Sequence, residues 1–230
     1  MAAVEFLKYV TYRTPIVQWF MAPRYRYKIT PGQIAALIGL IDATRVSGGA
    51  IVEIGVAQGD TSALILEHLR TSGDDRKVYL LDTFEGFTAE SIEHEVKSRG
   101  KSGEQLGAFR YGDEAVFNKN LRRAGYSNFE TKKGDASKFD WSKIGPIGAV
   151  LLDIDLYQPT IDILNSIWPY VVEGGGIVVD DCMAGTPWDG SLQAYNEFVG
   201  ARALPFQLVG KKGGLLTKPA PASPEQGLQN

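Results

Sequence analysis

Apolar residues along this chain come in short unbroken runs, most of them ending on an acid, and these runs alternate with stretches where apolar residues recur every three or four positions. The first pattern reads as strands buried on both faces, the second as helices with one apolar stripe. Strands are predicted at 50–54, 77–81 and 129–132, in a run ending at Asp153 and Asp155, and in a run ending at Asp180 and Asp181. A triple-glycine turn, Gly174 to Gly176, is expected to precede the last of them. Thr30 as N-cap and Pro31 at the first helical position open a helix carrying Ile34, Leu37, Ile38 and Ile41. Further helices are predicted at 61–69, 114–124, about 160–170 and 191–204, and residues 206–209 and 214–217 resemble a closing antiparallel pair. Strand and helix alternating in this way predict an α/β, Rossmann-like fold with a largely parallel sheet.

Three stretches fall outside that alternation. Residues 1–28 mix Phe6, Tyr9, Tyr12, Trp19, Phe20, Tyr25 and Tyr27 with Lys8, Arg13, Arg24, Arg26 and Lys28. Pro15 and Pro23 interrupt any long amphipathic helix, so this arm is expected to pack across its own domain or against a dimer mate. Residues 90–112 are charged and lack a clear period, which suggests a mobile loop or lid. The tail from 218 to 230 is Pro-rich and polar, and is expected to be disordered. The predicted organisation is an arm and helix at 1–49 serving as a cover, one domain at 50–217, and that tail.

Composition narrows the options. At 230 residues and 44% hydrophobic content the chain can bury a substantial core, and a formal charge of -3 provides no broad attraction for nucleic acid. The single cysteine, Cys182, excludes an internal disulfide framework. No apolar run is long enough to cross a bilayer and the N-terminus lacks a signal-peptide pattern, so a cytoplasmic location is expected.

The candidate chemistry lies at the strand ends. In an open parallel sheet the C-terminal ends of the strands line the ligand crevice, so Asp153, Asp155, Asp180 and Asp181 are predicted to converge. Four carboxylates repel one another, and a divalent cation such as Mg²⁺ bound through oxygen relieves this. Gly55 and Gly59 permit close backbone approach at the first turn, yet the segment lacks the GxGxxG dinucleotide fingerprint. Glu53 there suits a cationic or hydroxyl-rich ligand and would repel a pyrophosphate. Asp82 is placed to accept from ribose hydroxyls, and Asp135, in the turn of Gly134 to Ser137, to meet an adenine amino group. Taken singly, Asp155, Asp180 and Asp181 each read better as a helix cap; together they point to the metal. His68 and His94 read as surface residues and Cys182 as packing, while Tyr157 and Trp188 suit either an acceptor pocket or the core. No Ser-His-Asp set, Walker loop or zinc-type cysteine cluster is present.

VEIGVAQG, LLDTFEGF, GDAS and above all LLDIDLY followed by GGGIVVDDC resemble a class I S-adenosylmethionine-dependent methyltransferase of the macrocin O-methyltransferase type. The resemblance implies a seven-stranded, mostly parallel sheet with one antiparallel strand and helices on both faces. It implies S-adenosylmethionine and Mg²⁺ as cofactors, with Asp153, Asp180 and Asp181 on the metal and Asp155 as general base. Glu53, Gly55, Gly59, Thr61, Asp82, Thr83, Asp135 and Ala136 then bind the methyl donor. Ile154 departs from the family's usual glycine between the two aspartates, and Cys182 stands where an aromatic is frequent. The implied activity is Mg²⁺-dependent O-methylation of a small hydroxylated acceptor, a sugar or glycosylated natural product being preferred. A catechol-type O-methyltransferase acting on an aromatic diol and a non-catalytic nucleoside-binding protein remain as alternatives, and a homo-oligomer is allowed by the aromatic arm.

Overall fold

Branched apolar residues fill the strand interiors because they pack well on a pleated surface covered from both sides. In the computed structural model, which describes residues 2–107, 110 and 112–219, they form β1 (Ala50–Ile54), β2 (Val78–Asp82), β3 (Phe129–Lys133), β4 (Ile147–Leu152), β5 (Val171–Val179), β6 (Leu208–Val209) and β7 (Gly213–Thr217). These make one sheet in the order β3-β2-β1-β4-β5-β7-β6, with β1 to β5 parallel and β7 antiparallel to both of its neighbours. The order reverses between β1 and β4. That reversal opens a crevice beyond the carboxyl ends of the two strands.

Alternate residues along the central strands feed two cores. Val52, Ile54, Val150, Leu152, Ile177 and Val179 meet α7 (Tyr157–Ile167) and α8 (Gly190–Arg202) through Ile163, Leu164, Ile167, Tyr195 and Phe198. On the other face Ile51, Leu80, Ala149, Leu151 and Val178 meet α3 (Pro31–Ala43), α4 (Asp60–Ser72) and α6 (Glu114–Arg123) through Leu37, Ile41, Ile65, Leu69, Phe117 and Leu121. Truncating a fully buried strand residue such as Ile177 to alanine should cost about 2–5 kcal/mol.

Four segments differ from the sequence reading. Gly174 to Gly176 lie inside β5, not in a turn before it. A Cβ on Gly175 would meet the carbonyl of Gly148 at 2.5 Å and one on Gly176 that of Leu216 at 2.1 Å, so the glycines let β4 and β7 close on β5. Residues 89–99 form a helix, α5 (Ala89–Arg99), where a loop was expected. Its Thr88 N-cap accepts from Ser91 N and Gly100 ends it in the left-handed region, while its one buried residue, Glu95, supplies no apolar period to read. Instead Glu95 accepts from the backbone N–H of Tyr157 at 2.7 Å and from Arg99 at 2.5 Å, capping α7, whose own N-cap, Leu156, has no polar side chain.

The arm is the third difference. α1 (Ala2–Arg13) and α2 (Pro15–Met21) break at Pro15 as the sequence suggests, and they do not lie buried against their own domain, the first of the two places expected for them. Phe6, Trp19 and Phe20 are 68%, 62% and 75% exposed. The fourth is α7, which starts at Tyr157, three residues early, because Glu95 caps it there. Residues 220–230 of the predicted tail lie outside the described residues. No helix among the described residues is long and apolar enough to cross a membrane.

Candidate active site

A cavity of about 550 Å³ occupies the crevice, and the ends of β1, β2, β4 and β5 all reach it. Gly55, Asp82, Thr83, Asp135, Ala136, Asp153, Asp155, Asp180 and Asp181 line it. Gly55 sits at φ 84°, and a Cβ there would meet the carbonyl of Asp153 at 1.8 Å, so only glycine allows β1 and β4 to approach at this point.

The β2 side is held by neutral donors. Asp82 accepts from Val56 N at 2.8 Å through Oδ2 and from Phe84 N at 2.7 Å through Oδ1, which locks its orientation while leaving further lone pairs toward the cavity. Asp135 accepts from the backbone N–H of Ser137 at 3.0 Å and its hydroxyl at 2.6 Å, fixing the turn that carries Ala136. Three predicted donor-site residues do not reach the cavity wall. Glu53 is sealed beneath it and accepts a hydrogen bond from Ser62 Oγ; burial, with some repulsion from Asp82, pushes its carboxyl up to about 8. Gly59 is the left-handed residue that starts α4, where a Cβ would strike Phe117 at 2.9 Å. Thr61 lies one residue into that helix. These three shape the turn from behind.

At the tips of β4 and β5 the carboxylates crowd. Asp153, Asp155 and Asp181 each offer an oxygen within 4.8 Å of the others. Asp155 (φ 61°) and Asp181 (φ 54°) hold left-handed backbone that L-residues rarely adopt, and so turn their side chains back toward the site. Burial first, then the neighbouring carboxylates, raises Asp153 and Asp155 well above the usual carboxylate range. The sequence expected Asp180 among the metal ligands, but its oxygens are engaged elsewhere. Oδ1 accepts from Gln33 Nε2 at 2.7 Å and from Asp181 N at 2.8 Å, and Oδ2 from Lys212 Nζ at 2.8 Å. The oxygens that cluster within reach of one ion are those of Asp153, Asp155 and Asp181.

A divalent cation fits this arrangement. Three hard-oxygen donors stand together, and burial followed by repulsion from neighbouring carboxylates raises the proton affinities of Asp153 and Asp155, the condition a bound cation relieves. Gln33 and Lys212 escaped the sequence reading. A polar residue on the apolar face of α3 was the one available signal for Gln33, and Lys212 comes from a turn 31 residues beyond Asp181.

The other candidates resolve simply. Trp188 lines the cavity beside Phe87, their ring centroids 5.8 Å apart, whereas Tyr157 turns its hydroxyl to Glu197. His68 pairs with Asp42 at 2.7 Å, and His94 stacks on Tyr157. Cys182 is packed, and burial pushes its thiol up to about 12, which removes it as a nucleophile at neutral pH.

The strand order, the reversal at β1 and β4 and the crevice lined from four strand ends define a Rossmann-like class I methyltransferase fold. The chain belongs to the macrocin-O-methyltransferase (TylF) family, whose profile matches residues 15–209. It is 31% identical over 144 residues to the 8-demethyl-8-(2,3-dimethoxy-alpha-L-rhamnosyl)-tetracenomycin-C 4'-O-methyltransferase of Streptomyces olivaceus, covering 58% of this chain and 52% of that protein. It is 28% identical over 158 residues to the demethyldecarbamoylnovobiocin O-methyltransferase of Streptomyces niveus, covering 64% and 58%. The chain thus matches somewhat more than half the length of these relatives. Among solved structures, the O-methyltransferase NovP superposes with a TM-score of 0.64 at 20% identity, covering 81% of this chain and 78% of that one. The calicheamicin methyltransferase CalS11 gives 0.64 at 19% identity, covering 93% and 90%.

Proposed function

We propose that this chain is an S-adenosylmethionine- and Mg²⁺-dependent O-methyltransferase acting on a hydroxyl of a small acceptor, a sugar or glycosylated natural product. The observation that carries this reading is that one cavity holds both an orienting half, Asp82 and Asp135, and a crowded carboxylate half, Asp153, Asp155 and Asp181. The preference for a sugar rests on family membership and on the relative whose name describes O-methylation of a rhamnosyl tetracenomycin.

Gly55, Asp82, Thr83, Asp135 and Ala136 would hold S-adenosylmethionine, whose sulfonium supplies the electrophilic methyl carbon. Asp153, Asp155 and Asp181 would hold Mg²⁺, which supplies Lewis acidity and a template for a hydroxyl. Asp82, fixed by two backbone amides, accepts from vicinal hydroxyls without reorganising. Asp155 is the group that receives the acceptor's hydroxyl proton, on a carboxylate oxygen not engaged by the ion. Phe87 and Trp188 form an apolar wall that excludes water and presents a flat face to an acceptor ring. The exposed apolar arm supports association with a second copy of the chain.

Methyl transfer from labelled S-adenosylmethionine to a panel of deoxysugar glycosides and catechols, with Mg²⁺ or with EDTA, tests the proposal. Transfer to the glycosides that EDTA abolishes is the expected result. Full activity in EDTA would remove the metal, a preference for catechols would reassign the acceptor, and no transfer to any hydroxyl would leave a nucleoside-binding protein.

A further inference from the structure

Lys212 sits in the turn between β6 and β7, on the antiparallel edge of the sheet, yet its side chain reaches back to the tip of β5. Its Nζ lies 2.8 Å from Asp180 Oδ2 and 2.8 Å from Asp181 Oδ1. Among the described residues it is the one cation in ion-pair contact with any of Asp153, Asp155, Asp180 and Asp181. Its backbone holds it there as well, since the Lys212 carbonyl accepts from Cys182 N at 2.7 Å. Gly210, two residues earlier, abuts Thr30 at the start of α3. From that same helix turn Gln33 donates to Asp180, so α3, the tip of β5 and the hairpin turn meet on one buried carboxylate.

We propose that Lys212 is a built-in counter-cation: it holds Asp180 and Asp181 together while no divalent ion is bound, and it keeps the site's affinity for that ion low. The inference rests on the Mg²⁺ reading above and extends it. Asp181 belongs to the oxygen group that would meet the ion and is also a partner of the ammonium, so the two cations compete for one carboxylate. Asp180 is 2% exposed and bonded to Gln33, so it keeps the ammonium close and cannot itself swing out to the ion. A fixed positive charge beside a cation site in a low-dielectric wall opposes binding at any pH at which the lysine is charged. The site is therefore set to bind the ion weakly on its own and more tightly once an acceptor hydroxyl adds a further oxygen donor.

The test is calorimetric titration of Mg²⁺ alone into the full-length protein, comparing wild type with Lys212→Met and Lys212→Arg. Lys212→Met should bind Mg²⁺ about tenfold more tightly or better, as expected when a nearby positive charge is removed, while Lys212→Arg stays close to wild type. In EDTA, Lys212→Met should melt below wild type, and Mg²⁺ should raise its melting temperature by more than it raises that of wild type. Binding to wild type with equal or weaker binding to Lys212→Met overturns this proposal alone. Absence of Mg²⁺ binding in all three proteins overturns the divalent-ion reading itself. Should Lys212→Met fail to fold, wild-type protein carrying ¹³C-methylated lysines gives an independent measurement. The Lys212 signal should shift as Mg²⁺ is added, and an unmoved signal overturns the proposal.

Discussion

At the ends of β1 and β2, Glu53 and Asp82 take their hydrogen bonds from a hydroxyl and two backbone amides, whereas at the ends of β4 and β5 four aspartates crowd together and one lysine and one glutamine reach only Asp180 and Asp181. Both regions place acids in the interior of the same sheet edge. The first solves the desolvation problem with neutral donors or a retained proton, and the result is a rigid surface for recognising hydroxyls. The second leaves three carboxylates with their repulsion only partly offset, and on the proposed reading a bound cation would relieve that unfavourable energy. On the proposed function, binding and chemistry would be separated by how the acids are compensated, more than by how many there are.

If this contrast holds, substitutions on the two sides should fail in different ways. The largest effect is expected for Asp153→Ala, which removes a central member of the oxygen group. Methyl transfer should fall on the order of a thousandfold or more and calorimetric Mg²⁺ binding should vanish, with the circular dichroism spectrum unchanged. Asp155→Asn keeps an oxygen donor but cannot take a proton. It should lower kcat roughly 100- to 10,000-fold while Mg²⁺ still binds, more weakly than to wild type, and a wild-type kcat would remove Asp155 as the base. Asp82→Ala should weaken S-adenosylhomocysteine binding about 10- to 100-fold through lost charge-assisted hydrogen bonds, leaving Mg²⁺ affinity untouched. Equal loss of both ligands would dissolve the distinction between the halves.

Glu53→Gln should have the smallest effect on turnover and ligand binding, its consequence being confined to the pH dependence of stability. The folded-state value of Glu53 is raised from 4.5 to about 8, so its contribution is fully present below pH 4.5 and is lost as pH rises through 8. The glutamine variant should flatten that decline, gaining on wild type at alkaline pH by on the order of a few kcal/mol at most, as read from urea melts at pH 5 and pH 8.

Much of the crevice was legible because strand ends are a one-dimensional signal. An apolar run closed by an acid marks both the strand and the side of the sheet it faces, and Asp82, Asp153 and Asp181 were read this way, while Asp135 was read from the turn after a third strand. The division of labour between Asp155 and Asp180 was not legible, since it depends on left-handed backbone past the strand and on partners from α3 and the hairpin turn. Glu53 reads as a ligand-facing acid in sequence, and only packing shows that it points beneath the floor. Gly174 to Gly176 carry a local turn signal that close approach from two neighbouring strands overrides. Helix α5 hides because a buried Glu95 supports it where an apolar stripe is usual.

Asp155 and Asp181 combine two local costs, left-handed backbone and a like-charged neighbourhood, and neither cost contributes to holding the chain together. A laboratory population selected only for surviving heat should therefore shed these acids early, with glycine or asparagine entering at both positions at little structural penalty. Thermal hardening without a turnover screen would erase the chemistry while improving the scaffold. Any consensus or computational stabilisation of this chain should hold these two positions fixed from the outset.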